Sequence, residues 1–187
     1  MSSAGALLLA PGAGADRNHH TLCAVADALS PLPVERMDFP ARKAGRKGVD
    51  RAPVAIAAVV AEAAALVSSA KIRANRLVVG GRSFGGRMCS MAVAEGLPAA
   101  GLVLLSYPLH PPGKPEVLRV DHFSALEVPC LFISGEKDPF GTPAEFAKHL
   151  KKIPGNVTFI VVPGAHDPRG QDEVIAEQVR IWMRELR

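Results

Sequence analysis

The stretch L-V-V-G-G-R-S-F-G-G-R-M-C, residues 77–89, decides how the rest of the chain is read. An apolar run breaks off in glycines, one serine stands among four of them, and a helical pattern begins at once. Within it Gly81, Arg82, Ser83, Phe84 and Gly85 fit G-x-S-x-G. A serine on so sharp a strand-to-helix turn has a strained backbone and holds its Oγ above the sheet end. Small residues two before and two after are needed, because side chains there would collide across the turn. The plainer reading is a glycine-rich turn with an idle serine. The pentapeptide alone does not exclude it, so its surroundings have to decide.

Outward from this turn, short apolar runs alternate with longer helical patterns. The runs are Ala6–Ala10, Val34–Phe39, Leu77–Val79, Gly101–Leu105, Cys130–Ile133 and Val157–Val162, each ending near Gly, Pro or Ser. Continuous apolar runs of this length suit strands buried on both faces, as in a parallel sheet. Helices are expected at about His19–Ser30, Pro53–Ile72, Phe84–Glu95, Pro143–Lys151 and Gln171–Leu186, with Asp50 and Thr142 near the caps of two of them. The stretch Ser106–Pro129 is rich in proline and has room for one short helix around Val117–Phe123. The alternation predicts a doubly wound α/β fold, 1–187 as one domain, with right-handed crossovers. Every strand-to-helix loop then emerges at the carboxyl edge of the sheet, where distant segments meet.

Bulk properties narrow the function classes. The chain has 187 residues, a net charge of +4 and no long Lys/Arg block, so nucleic acid is not an expected partner. Cys23, Cys89 and Cys130 lie in apolar stretches without metal-ligand spacing and read as buried free thiols; no metal or cofactor is expected. The N-terminus lacks the basic region of a signal peptide, and the Ala-rich run 52–70 is broken by Glu62, so it reads as a core-facing helix and not a membrane span. A cytoplasmic protein is the expectation, and nothing points to a protein partner.

The loops after the later strands supply what Ser83 lacks. The fifth strand runs into Gly-Glu-Lys-Asp-Pro-Phe, which places Asp138 just beyond it. The sixth runs into Pro-Gly-Ala-His-Asp-Pro, which places His166. The order Ser, Asp, His is the one a hydrolytic triad needs on this topology, with His166 as base and Asp138 orienting it. Glu136 and Asp167 are alternatives for the acid. Two N–H donors are expected for a developing oxyanion, from Phe84 at the helix start and Ala13 in the loop after the first strand. Arg82 and His110 are candidates for touching substrate. With Arg42, Lys43, Arg46, Lys47, Lys114 and Lys137 they belong to carboxyl-edge loops, where their charge would favour anionic substrates.

These residues resemble the α/β-hydrolase superfamily over essentially the whole chain. The segments G-G-R-S-F-G-G-R-M, S-Y-P-L-H-P-P-G-K-P and G-A-H-D resemble more narrowly a small dienelactone-hydrolase-like group that includes testis-expressed hydrolase-like proteins and a chromatin-complex regulatory subunit. The resemblance implies a Ser83–Asp138–His166 triad and a backbone oxyanion hole. It also implies six parallel strands in the order 2-1-3-4-5-6, without the two leading antiparallel strands of larger relatives and without a lid domain. Where relatives commonly open the oxyanion loop with His-Gly, this chain has Pro11-Gly12. The activity implied is that of a serine esterase on small esters or lactones.

Two rivals stand against it. A dinucleotide-binding domain would use Gly12-Ala-Gly14 and Asp38, but Arg17 occupies the place of its third glycine. A non-catalytic interaction module on a hydrolase scaffold would keep the fold without turnover. His19 and His20 read as capping or surface residues, and Trp182 as core.

Overall fold

A computed structural model describes residues 4–186. Among them, six parallel strands form one sheet in the order β2-β1-β3-β4-β5-β6. The strands are β1 (Ala6–Ala10), β2 (Val34–Arg36), β3 (Leu77–Arg82), β4 (Gly101–Leu105), β5 (Cys130–Gly135) and β6 (Val157–Val162). The order reverses between β1 and β3, and this places the crevice for a ligand beyond their carboxyl ends. Ser83 follows β3 directly.

The buried strands divide their side chains between two apolar layers. On one face Leu7, Leu9, Val78, Val103 and Leu131 pack with Leu22 and Val25 of α1 (His20–Ala28) and Val179 and Trp182 of α6 (Asp172–Glu185). On the other, Leu8, Val79, Leu104 and Phe132 meet α3 (Ala52–Ser69), α4 (Phe84–Ala94) and Phe146 of α5 (Pro143–His149). A period-2 strand with both faces covered gives this split, and it explains the unbroken apolar runs. The long Ala-rich helix α3 is apolar enough to cross a membrane by length and composition. It instead buries Ala55, Ile56, Val59, Ala63 and Leu66 against the sheet side of the core.

Several boundaries differ from expectation for local reasons. Strand β2 stops at Arg36 rather than Phe39, because Pro40 opens a short helix, α2 (Pro40–Lys43), within the basic loop. Strand β3 continues past Val79 through Gly80, Gly81 and Arg82, each paired in register with β4. Asp50 does not cap α3; its Oδ2 accepts the Ala41 N–H at 2.8 Å and ties down the loop. Thr142 does cap α5, in a reciprocal box with Glu145. The helix expected around Val117–Phe123 is replaced by a single 3₁₀ turn at Phe123–Ala125. Here the chain is held by Arg119 N–H to Leu109 O at 2.8 Å, and Tyr107 Oη donates to Arg119 O at 2.7 Å. Tyr107, Leu109, Val120, Phe123 and Leu126 are all buried, so both ends of the β4–β5 connection fold into the core and it forms no lid.

Candidate active site

The serine turn is built by backbone crowding. Ser83 has φ 50° and ψ −118°, a conformation that non-glycine residues adopt only when their surroundings enforce it. Its N–H donates to Leu105 O of β4 at 2.9 Å, and its carbonyl accepts from Arg87 at 3.0 Å. A Cβ on Gly81 would sit 2.1 Å from Ala10 O, and one on Gly85 2.3 Å from the same oxygen. Both glycines therefore let α4 and β3 press against the end of β1. We expect Gly85→Ala to cost more than about 4 kcal/mol, because the contact is with backbone that has nowhere to move. Urea denaturation would show this; a loss below about 1 kcal/mol would refute the close-approach account.

Ser83, His166 and Asp138 meet above this turn. His166 Nε2 lies 2.8 Å from Ser83 Oγ, and His166 Nδ1 lies 2.8 Å from Asp138 Oδ2 and 3.0 Å from Oδ1. Asp138 is 1 % exposed, and its Oδ1 also accepts the Phe140 N–H at 2.9 Å. The loops that carry Asp138 and His166 are fastened together. Lys137 N–H donates to Gly164 O at 2.9 Å, and a Cβ on Gly135 would fall 2.2 Å from Ala165 O. The Phe140 ring stacks on His166 with centroids 4.0 Å apart. Glu136, the first alternative acid, is exposed and faces Lys137. Asp167, the second, is turned toward Arg82 and the His19–His20 pair.

The loop after β1 closes over the same place. A Cβ on Gly12 would lie 3.4 Å from Ser83 Cβ, so that loop touches the serine directly. Gly14 has φ 73°, and Ala15 N–H bonds back to Gly12 O at 3.2 Å, which makes a tight turn around Ala13. Among the described residues, neither the Ala13 nor the Phe84 N–H is taken by a protein acceptor.

The profile of the α/β-hydrolase domain family matches residues 3–181. The chain belongs to that family. As an α/β-hydrolase it is similar in fold to Est1E from Butyrivibrio proteoclasticus, with a TM-score of 0.75 and 17 % identity over 100 % of this chain and 89 % of that one. The dienelactone hydrolase from Anabaena variabilis gives 0.78 at 19 % identity, covering 99 % and 88 %. The type II thioesterase BorB of the borrelidin biosynthetic cluster gives 0.71 at 17 %, covering 98 % and 94 %.

Two residues expected to touch substrate in this α/β-hydrolase, Arg82 and His110, are largely buried and engaged by neighbouring loops. Arg82 is only 9 % exposed, and its Nη2 donates to His166 O at 2.8 Å and faces Asp167 Oδ1 at 3.3 Å. Burial lowers its pKa, opposed by Asp167 and Asp138, and its hydrogen bond to His166 O ties it to the histidine loop. His110 is also buried: Nδ1–H donates to Pro111 O at 2.8 Å, and Nε2 faces Glu145 at 3.3 Å. Its backbone N–H donates to Phe140 O at 3.2 Å, which ties it to the loop that carries Asp138.

The basic loop charges are thinned in the same way. Arg42 pairs with Asp16 at 2.7 Å, Lys43 with Glu62, and Arg46 with Asp50 at 3.6 Å. A cleft of about 370 Å³ runs beside the serine turn between Gly12, Phe39, Phe84, Arg42, Arg46 and Lys47. Among the described residues Lys47 makes no ion pair there. Sequence reasoning missed Phe140 as the ring under His166. The Asp-Pro-Phe run was its only signal.

Proposed function

We propose that the chain is a single-domain serine hydrolase that cleaves small esters or lactones through an acyl-enzyme. The observation that carries this reading is the continuous contact from Ser83 Oγ through His166 to the buried Asp138 carboxylate, on a strained turn. In the first step Ser83 Oγ attacks the acyl carbon while its proton passes to His166 Nε2. Asp138 holds the Nδ1–H and stabilises the imidazolium. The carbonyl electrons move to oxygen, where the Phe84 and Ala13 N–H groups receive the charge. As they return, the C–O bond to the alcohol breaks and His166 gives that alcohol the proton. Water repeats the sequence and frees the acid and Ser83.

The absence of a lid domain among the described residues sets the size of substrate to expect. Both ends of the β4–β5 connection are buried in the core and it forms no lid domain, while a cleft of about 370 Å³ adjoins the serine turn. Est1E has been seen with ferulic acid bound, and the other two similar folds are a dienelactone hydrolase and a type II thioesterase by name. Acetate and butyrate esters should therefore exceed dodecanoate esters in kcat/KM by about tenfold or more, with no rise at the micellar threshold. A matched carboxylate-bearing ester should gain a few-fold at low salt, and lose that gain at high salt and in Lys47→Ala. Long-chain preference with interfacial activation would contradict a site without a lid. Failure of a fluorophosphonate to label the protein would instead favour the interaction-module reading.

A further inference from the structure

On the flank of the histidine loop, His19 and His20 stand together with Asp167. His19 Nε2 lies 3.5 Å from Asp167 Oδ1, His20 Nε2 lies 3.3 Å from the same oxygen, and the three ligating atoms all fall within 4.8 Å of one another. Ligands about 2.0–2.2 Å from a tetrahedral Zn²⁺ are themselves separated by roughly 3.4 Å. The two distances to Asp167 already have that spacing. They come from two elements fixed independently, the start of α1 and the loop after β6.

A second set of contacts orients one of the rings. Asp172, the first residue of α6, has Oδ2 2.7 Å from His20 Nδ1, and its Oδ1 accepts from Thr21 Oγ1 at 2.7 Å. With the proton on Nδ1 donated to Asp172, the Nε2 lone pair of His20 points toward Asp167. In that neutral form a divalent cation can bridge the two acceptors, whereas the protonated ring donates Nε2–H to Asp167 at 3.3 Å. A carboxylate behind a histidine is also the arrangement that fixes tautomer and ring direction at metal sites. His19 can join through Nε2 once its proton sits on Nδ1. It then gives up the bond that Nδ1 accepts from Thr21 N–H, which is long at 3.3 Å.

We propose that His19 Nε2, His20 Nε2 and Asp167 Oδ1 form a binding site for a divalent transition ion of the zinc class. Asp172 orients His20 from behind, and the three ligands line a surface cleft together with Arg169 and Gly170. Two imidazoles with one carboxylate select Zn²⁺ or Co²⁺ over Mg²⁺ or Ca²⁺, which take oxygen ligands. Arg82 and Arg169 both face Asp167, at 3.3 and 3.5 Å, and their charge moderates the affinity. The site is separate from the serine chemistry, although Asp167 adjoins His166 and shares Arg82 with it.

The full chain, titrated with Co²⁺ in a buffer that does not chelate, should bind one equivalent by calorimetry. It should develop the intense visible bands of tetrahedral Co²⁺, and Zn²⁺ should displace them. His19→Ala and His20→Ala should each abolish the bands. Asp172→Asn should weaken binding about tenfold at unchanged stoichiometry. Circular dichroism of each variant separates loss of the site from loss of the fold. Pale octahedral spectra, or equal Co²⁺ affinity in a folded His20→Ala variant, would overturn the site and leave only a surface ion-pair cluster. Neither readout involves hydrolysis, so the result is independent of the serine reading.

Discussion

Ser83→Ala should lower kcat/KM for a small ester by up to about a million-fold, the scale on which a nucleophile acting with its base is lost. The same change should abolish the mass increase that a fluorophosphonate adds to the wild-type chain. The fold should survive. The bonds that hold the turn, Ser83 N–H to Leu105 O and Arg87 N–H to Ser83 O, belong to the main chain, and alanine keeps the Cβ. The side-chain bond lost is the one from Oγ to His166 Nε2, on a ring still held by Asp138 and Phe140. An adduct persisting on the variant would falsify the assignment, as would a rate loss of less than about tenfold.

The arrangement of the sheet was legible because it follows from one-dimensional patterns. Continuous apolar runs mark strands covered on both faces, and their alternation with helices fixes parallel pairing and right-handed crossovers. The strand order itself came from the family resemblance. What the patterns misplace are ends whose limits are set by contacts. Gly80, Gly81 and Arg82 look like a turn, yet they extend β3, because absent side chains let β1 and β4 come close. Phe39 looks like a strand residue, yet it leaves the sheet and packs edge-on against Phe84. Val117–Phe123 has room for a short helix, but Arg119 is tied across the loop to Leu109 O and Tyr107 Oη, and only Phe123 joins a 3₁₀ turn.

Within the site, what was legible is what depends on chain order. Ser83, Asp138 and His166 each follow a strand, and strand ends converge. The directions of Arg82 and His110 were not legible. Each side chain points to a partner chosen by the loop packing: Arg82 to the carbonyl of His166 and to Asp167, His110 to Pro111 O and Glu145. For the same reason His19 and His20 read as surface residues. Their spacing carries no ligand pattern until β6 brings Asp167 beside them.

Asp138→Asn tests the remaining member of the constellation, and its effect should be about 10⁴-fold on kcat, the size known for such a change when the histidine is left in the wrong tautomer. The argument here comes from the second bond that Asp138 makes. Its Oδ1 accepts the Phe140 N–H at 2.9 Å, and an asparagine oxygen would keep that bond. The amide NH₂ would then occupy the place of Oδ2, 2.8 Å from His166 Nδ1, where it can only donate. His166 would have to accept at Nδ1 and carry its proton on Nε2, facing Ser83 Oγ with no lone pair to receive a proton. The buried polar atoms remain partnered, so the melting temperature should change little while turnover collapses. Fluorophosphonate labelling should slow in step with turnover, because both need the same base. Glu136→Gln, which alters an exposed side chain, should leave the rate unchanged. If Glu136→Gln abolished turnover while Asp138→Asn did not, the acid would have to be reassigned to the alternative in that loop.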